Sequence, residues 1–367
     1  MKNRPKRLIF SGGGTGGHIF PALSVASAFV KRHPETEVLF VGAARGMEVQ
    51  LVPKAGFALQ TLDLAYLPRT LSLRQPVAVW KALLGVRHAA GILHGFSPDV
   101  VVGTGGYAAG PIVLRAALGG LPTLIHEQNA FPSLTNRILG RVVSRIAVSH
   151  EAALRHFPAG KAVVTGNPLR AEMLTVDRNT AREELGYGPD DFLLVVVGGS
   201  GGALGINRAV CQAYPALLSQ RINIYHVAGK RDFPMVMAAA QEIGDNRLRV
   251  VDFAENMPDL WAAADLAVSR PGSTTSELAV MGVPAILIPS PIAANDHQTH
   301  NAQALVRAQA AIMLKESELN SATLAEHIIK LRRDQELRTR MSGSMLSLAK
   351  PDATDRVCDL IEGLMRP

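Results

Sequence analysis

Short apolar runs bounded by turn residues recur along this chain. They are Leu8–Phe10, Val38–Val41, Val100–Val102, Thr123–His126, Ile146–Val148 and Val163–Val164 in the first half, then Leu193–Val197, Ile224–Val227, Leu248–Phe253, Leu266–Val268, Ala285–Ile288 and Ala311–Leu314 in the second. Each has strand length, and the stretches between them have helical spacing. Ile19, Leu23, Ala26 and Val30 step by four, three and four residues and so share one helix face. Strands alternating with helices predict an α/β chain with parallel sheets and right-handed crossovers. The pattern pauses near Gly166-Asn167-Pro168, where a strand ends in turn residues before a polar stretch reaching Asp191. We expect one domain over residues 1–166 and a second over 167–351, with a last helix in 352–367 returning to the first.

Two of the runs break into glycine. Leu8–Phe10 leads into Ser11-Gly12-Gly13-Gly14-Thr15-Gly16-Gly17-His18, and Leu193–Val197 into Gly198-Gly199-Ser200-Gly201-Gly202. A glycine turn at the carboxyl end of a buried strand lets backbone N–H groups approach a phosphate, while the next helix presents its positive dipole end to the same anion. Two such turns suggest two α/β halves facing one charged ligand. The first is not a dinucleotide fingerprint, because Val41-Gly42-Ala43-Ala44 closes the second run without an acidic residue. A P-loop is excluded too, since no Lys-Ser/Thr follows the glycines. His18 stands at the helix start, where the dipole disfavours imidazolium. A neutral ring there can accept a proton, or it can serve only to donate to a backbone carbonyl.

Other polar clusters also follow strands. Gly103-Thr104-Gly105-Gly106-Tyr107-Ala108-Ala109-Gly110-Pro111 offers a place for a second phosphate-bearing ligand, and His126-Glu127-Gln128-Asn129 sets donors and acceptors suited to sugar hydroxyls at a strand end. In Ser269-Arg270-Pro271-Gly272-Ser273-Thr274-Thr275-Ser276-Glu277, Thr274 and Glu277 have capping-box spacing, so Glu277 either closes a helix start or takes a ribose diol. Asn295-Asp296-His297-Gln298-Thr299-His300-Asn301 is rich in amides and imidazoles, but His297 and His300 lack a third ligand pattern for a metal. No Asp-x-Asp pair occurs. Helix ends and loop amides, rather than a carboxylate-held metal, are therefore expected to stabilise a departing diphosphate, with no metal and no cofactor.

Composition adds bounds. At 367 residues, 47% apolar and 19% charged, the chain is globular material for two domains. Cys211 and Cys358 fit neither a disulfide framework nor a zinc spacing, and only Leu8–Phe10 precede the glycines where a secretory leader would need an apolar core. A cytoplasmic location follows as the expectation. The uncharged stretch Leu278–Asn295 is interrupted by Gly282, Pro284, Pro289 and Pro291, which argues against a membrane span. Residues 1–166 carry 18 Lys and Arg against 7 Asp and Glu, whereas the remainder carries 20 against 24. The basic half is suited to an anionic partner: a membrane surface, a phosphorylated lipid or nucleic acid. Leu71–Arg87, where Arg74, Lys81 and Arg87 punctuate apolar residues, reads as an interfacial element or as a core helix with basic ends.

Gly13–His18, Gly105–Pro111, His126–Asn129, Thr165-Gly166-Asn167-Pro168 with Arg170, Gly198-Gly199-Ser200, the Arg270–Glu277 loop, and His297-Gln298 with Asn301 together resemble the MurG family of peptidoglycan N-acetylglucosaminyltransferases, in order and over most of the chain. The resemblance implies a GT-B fold, two Rossmann-like domains separated by a deep cleft. It also implies inverting transfer of GlcNAc from UDP-GlcNAc to the C4 hydroxyl of undecaprenyl-pyrophosphoryl-MurNAc-pentapeptide. By position, His18 would be the general base. Thr15, Gly16 and Gly17 would meet phosphates, Asn129 the sugar hydroxyls, and Arg170 and Ser200 the pyrophosphate. Ala254 would offer backbone to uracil, Glu277 would hold ribose and Gln298 the sugar, while Gly105, Gly106 and Tyr107 would meet the acceptor. The chain departs from many members at Gly201, where they carry Gln, and its Arg270–Glu277 loop is one residue shorter than in some. Peripheral binding to the cytoplasmic face of the inner membrane is implied, with no nucleic acid partner. A UDP-GlcNAc 2-epimerase shares this architecture without needing a lipid site, and a non-catalytic basic module would explain the charge but not the glycine turns.

Overall fold

The computed structural model describes residues 4–62, 75–199 and 201–365. The chain divides into two units, Met1–Arg170 together with Lys350–Pro367, and Ala171–Ala349. In the first, β1 (Arg7–Gly12), β2 (Glu37–Ala43), β3 (Ala58–Leu62), β4 (Val100–Gly105), β5 (Thr123–Glu127), β6 (Arg145–Val148) and β7 (Ala162–Val164) form a parallel sheet in the order 3-2-1-4-5-6-7 among the described residues. In the second, β8 (Phe192–Val197), β9 (Ile222–Val227), β10 (Leu248–Val251), β11 (Leu266–Ser269), β12 (Ala285–Leu287) and β13 (Ala311–Met313) form another, in the order 10-9-8-11-12-13.

The continuous apolar runs make strands buried on both faces. Leu8 and Phe10 join Val100 and Val102 in one apolar cluster, while Ile9 and Val101 join the cluster on the opposite face. Phe192, Leu194 and Val196 part from Leu193, Val195 and Val197 in the same way. The expected runs all become strands. The additional strand is β3, an edge strand mostly exposed apart from Leu62, whose weak alternation gave no clear signal.

In the first unit the final helix, Ala353–Met365, packs Val357, Cys358 and Ile361 against Phe10 and Phe29. Arg32, at the end of the helix Gly16–Arg32, reaches Asp355 and Asp359 at 2.7 Å each. Leu169 is tied to the same helix by its N–H, which donates to Thr354 Oγ1 at 3.1 Å. Asn167–Arg170 thus belong with the first unit.

Each sheet reverses its strand order beside its first strand, between β1 and β4 and between β8 and β11. In open parallel sheets that switch point, at the carboxyl ends of the strands, is where ligands bind. The glycine turns follow β1, β4 and β8.

Candidate active site

At the first switch point the turns after β1 and β4 interlock. Gly105 and Gly106 adopt positive φ, +98° and +79°. A Cβ on Gly106 would lie 2.4 Å from Gly13 O, and one on Gly105 would lie 2.7 Å from His18 Nδ1. The β4 glycines are therefore required by close approach. His18 Nδ1 lies 3.0 Å from Thr104 O, and the Thr104 hydroxyl donates back to His18 O at 2.7 Å. A carbonyl only accepts, so Nδ1 carries a proton, and on a ring that holds this proton alone the basic lone pair is on Nε2. Gln128 Nε2 donates to the same Thr104 carbonyl.

The first turn contains a carboxylate of its own. Glu48, fully buried, accepts from Gly14 N–H at 3.0 Å and from Ala43 N–H at 2.9 Å. Its head occupies the space where Cβ atoms on Gly13, Gly42 and Gly46 would stand, at 2.3, 2.6 and 2.0 Å from the nearest Glu48 atom. Part of the niche expected to receive a phosphate is thus filled from within. Gly16 and Gly17 open the helix, and the His18 and Ile19 N–H groups donate to Thr15 O at 3.1 and 3.2 Å. Thr15 is the N-cap, with extended backbone and no capping bond from its hydroxyl. Arg170 stacks its guanidinium over the Phe20 ring at 5.1 Å, two residues beyond His18. Burial, with the Glu48 carboxylate nearby, holds the Tyr107 phenol above its ordinary range.

Asn129 is positioned by Glu127, a buried carboxylate at the end of β5. Glu127 accepts from Asn129 N–H and Nδ2 at 3.0 and 2.9 Å, and from Ser133 N–H and Asn136 Nδ2 at 3.0 and 2.9 Å. His126 points into the interior, donating Nε2–H to Gly166 O at 3.1 Å, and burial lowers its pKa to about 4.

In the second unit the Gly198–Gly202 turn is more open. Cβ atoms on Gly199 or Gly201 would meet nothing within 4 Å among the described residues. Ser200 lies outside the described residues, as do Leu71–Arg74 of the segment read as interfacial. Below the turn runs a buried polar chain. Tyr214 O–H donates to His226 Nδ1 at 2.6 Å, and His226 Nε2–H donates to Asn207 Oδ1 at 2.9 Å. Asn207 Nδ2 donates to Asp232 Oδ2 at 3.0 Å, beside Gly202. Burial pushes the His226 pKa down to about 3, so this chain runs through a neutral imidazole. Glu316 supports the helix Leu204–Ser219 at Gly205 and pairs with Arg270 at 2.6 Å.

The Thr274/Glu277 capping box does not form. The N-cap of the helix Thr274–Met281 is Ser273, without a side-chain cap, and Glu277 instead accepts the Trp261 indole N–H at 2.9 Å through Oε2. Ala254, on the loop after β10, is buried in the same apolar cluster as Trp261. Gln298 Oε1 accepts Ser290 N–H at 2.7 Å, which fixes the amide with its NH2 as the donating end. Asn301 is buried and donates to Pro271 O at 3.0 Å. His297 is turned to the Ala294 carbonyl at 2.8 Å, and among the described residues no three His, Cys, Asp or Glu side chains gather as a metal site.

Residues 8–148 match the glycosyltransferase family 28 N-terminal domain, and residues 193–357 the corresponding C-terminal domain. A protein of Acetivibrio thermocellus named UDP-N-acetylglucosamine--N-acetylmuramyl-(pentapeptide) pyrophosphoryl-undecaprenol N-acetylglucosamine transferase is 40% identical over 98% of both chains. The crystal structure of Acinetobacter baumannii MurG superposes with a TM-score of 0.76 at 31% identity, covering 98% of this chain and 100% of that one. The chain belongs to the MurG family of glycosyltransferases. A putative UDP-N-acetylglucosamine 2-epimerase of Listeria monocytogenes reaches a TM-score of 0.73 over 98% of this chain and 96% of that one, but at 13% identity it shares the fold alone.

The MurG-family motifs lie on turns after strands and on the helices that follow, in two Rossmann-like units, the GT-B class expected from the sequence. Sequence reasoning missed the side chains that hold those turns: Glu48, Trp261, Glu316 and the His226 chain. Glu48 lies among apolar residues of a short helix and Trp261 in an ordinary apolar helix, so nothing local marked them. The one available signal for Glu48 was its place among Gly42, Gly46 and the first glycine turn.

Proposed function

We propose that this chain moves GlcNAc from UDP-GlcNAc to the C4 hydroxyl of undecaprenyl-pyrophosphoryl-MurNAc-pentapeptide, with inversion at the anomeric carbon. The observation that carries this reading is 40% identity, over 98% of both chains, to a relative named for that transfer. The His18 geometry supplies a chemical basis. With Nδ1–H committed to Thr104 O, Nε2 takes the proton of the acceptor hydroxyl as its oxygen forms a bond to the anomeric carbon and the bond to UDP breaks. Charge developing on the departing diphosphate is met by first-turn amides and by cations held in place, rather than by mobile water.

On the second unit, Ala254 offers backbone to uracil, Glu277 takes the ribose diol, Gln298 donates to the sugar and Ser200 meets the pyrophosphate. On the first, Thr15, Gly16 and Gly17 meet phosphate, Arg170 pyrophosphate and Asn129 the sugar hydroxyls, while Gly105, Gly106 and Tyr107 meet the acceptor. The acceptor is membrane-bound, so we place the protein peripherally on the cytoplasmic face of the inner membrane. Among the described residues no helix is long and apolar enough to cross a membrane. Supporting a peripheral site, Leu84, Leu118, Leu134, Ile138 and Val142 are exposed on neighbouring helices and the turn that follows them, with exposed Arg87, Arg137, Arg141 and Arg145 beside them in sequence.

Incubation with labelled UDP-GlcNAc tests the reading. Disaccharide-lipid formation is expected only when lipid acceptor is present, and release of the 2-epimer without acceptor would overturn it. Co-sedimentation with vesicles of anionic lipid should be lost in the Leu134→Glu, Ile138→Glu double variant.

A further inference from the structure

We propose that Trp261 is a positioning residue for the donor nucleoside. Its indole N–H sets the orientation of the Glu277 carboxylate, and through that carboxylate it sets the affinity for the ribose of a uridine diphosphate. The inference rests on the assignment of Glu277 to ribose and goes one step behind it, to what holds that side chain in place.

Trp261 is fully buried in the helix Met257–Ala263, packed in the cluster that contains Ala254, Leu278 and Ala279. Its indole nitrogen is a donor with no acceptor capacity, and a buried donor is costly to leave unpaired. Nε1 lies 2.9 Å from Glu277 Oε2, so the ring cannot turn without losing that bond, and the carboxylate cannot change rotamer without stranding the indole N–H. Ionised, a carboxylate has about four acceptor positions. The indole bond takes one of these positions and orients Glu277. The expected alternative restraint, a capping box with Thr274, is not formed, since the helix begins after Ser273 without a side-chain cap. Ala254, assigned to uracil, thus lies in the apolar cluster that contains this ring, and Glu277, assigned to ribose, is hydrogen-bonded to it. Preorganising a binding group on a locked neighbour raises affinity by reducing the ordering needed at binding.

The chain has two tryptophans, Trp80 and Trp261, so a Trp80→Phe background makes Trp261 the sole indole reporter. Titration of that protein with UDP is expected to change indole emission with the same midpoint that calorimetry gives. Unchanged emission at saturating UDP would overturn the proposal, and this arm needs no variant of Trp261 itself. In the second arm, Trp261→Phe is expected to weaken UDP about tenfold while turnover at saturating donor stays within about twofold. Preference for UDP over 2′,3′-dideoxy-UDP should shrink in the same variant. Wild-type affinity and diol preference in Trp261→Phe, alongside weakened UDP in Glu277→Ala, would sink the positioning role alone. Unchanged UDP affinity in Glu277→Ala would instead remove the ribose assignment itself.

Discussion

The turns after β1 and β8 begin from the same local chemistry, a buried strand running into glycines and then a helix, yet they are finished differently. In the first, the Glu48 carboxylate enters the turn, binds Gly14 N–H and fills the space beside Gly13. In the second, carboxylates stand at the far end, Asp232 beside Gly202 and Glu316 beside Gly205, while the Gly199 and Gly201 positions face open space. The first turn is a braced platform that carries His18, and the second keeps its glycines accessible. Glycine count alone therefore does not identify an anion cradle. What matters is whether the protein's own carboxylate has already entered it.

The sharpest way to separate the two turns is to remove the imidazole. His18→Ala should lower kcat by about 10²–10⁴-fold with little change in UDP affinity, because a base acts mainly in the transition state. Unchanged turnover in an acceptor-saturated assay would remove His18 from the chemistry.

Stability should show the next largest contrast. Gly106→Ala forces a side chain into left-handed backbone and against Gly13 O, for a loss of about 3 kcal/mol, whereas Gly201→Ala meets open space and should stay within about 0.5 kcal/mol. Denaturant unfolding of the pair checks both. Glu48→Gln turns an amide NH2 toward one of two backbone N–H groups and should cost about 1–3 kcal/mol, with UDP affinity unchanged by calorimetry. Weakened UDP binding in that variant would show that the braced turn also serves the donor.

The last contrast is a pH slope to which each unit contributes one buried histidine. His126 and His226 have folded pKa values of about 4 and about 3, both lowered by burial, so the unfolded chain binds more protons below the ordinary histidine value near 6.5. Their stabilisation is complete above that pH and is lost as pH falls toward the folded values, by up to about 1.4 kcal/mol per pH unit for each ring. Thermal melts between pH 7 and pH 4 should fall accordingly, and His226→Gln should flatten part of the slope.

Much of this architecture is legible without coordinates. The apolar runs that became strands, a helix following the first glycine turn and the split into two α/β halves all follow from local periodicity and from glycine at strand ends. Strand β3 was not legible, because an edge strand mostly exposed outside Leu62 has little hydrophobic pattern. The candidate site divides along the same line. His18, Asn129, Glu277 and Gln298 stand in recognisable motifs, but their partners Thr104, Glu127, Trp261 and Ser290 could not all be paired from spacing. The Thr274–Glu277 spacing even suggested the wrong partner, since a local capping box lost to an indole sixteen residues away.

By itself, the sequence determined the alternation of strand and helix, the placement of glycine turns at strand ends and the family to which the chain belongs, since periodicity and motif order are properties of the linear chain. Only the tertiary structure decided which carboxylate entered which turn, which histidine proton is committed, and which side chain holds Glu277. Those outcomes depend on burial and on contacts across separate elements, where a polar group kept from water must take whichever partner the packed fold brings within reach.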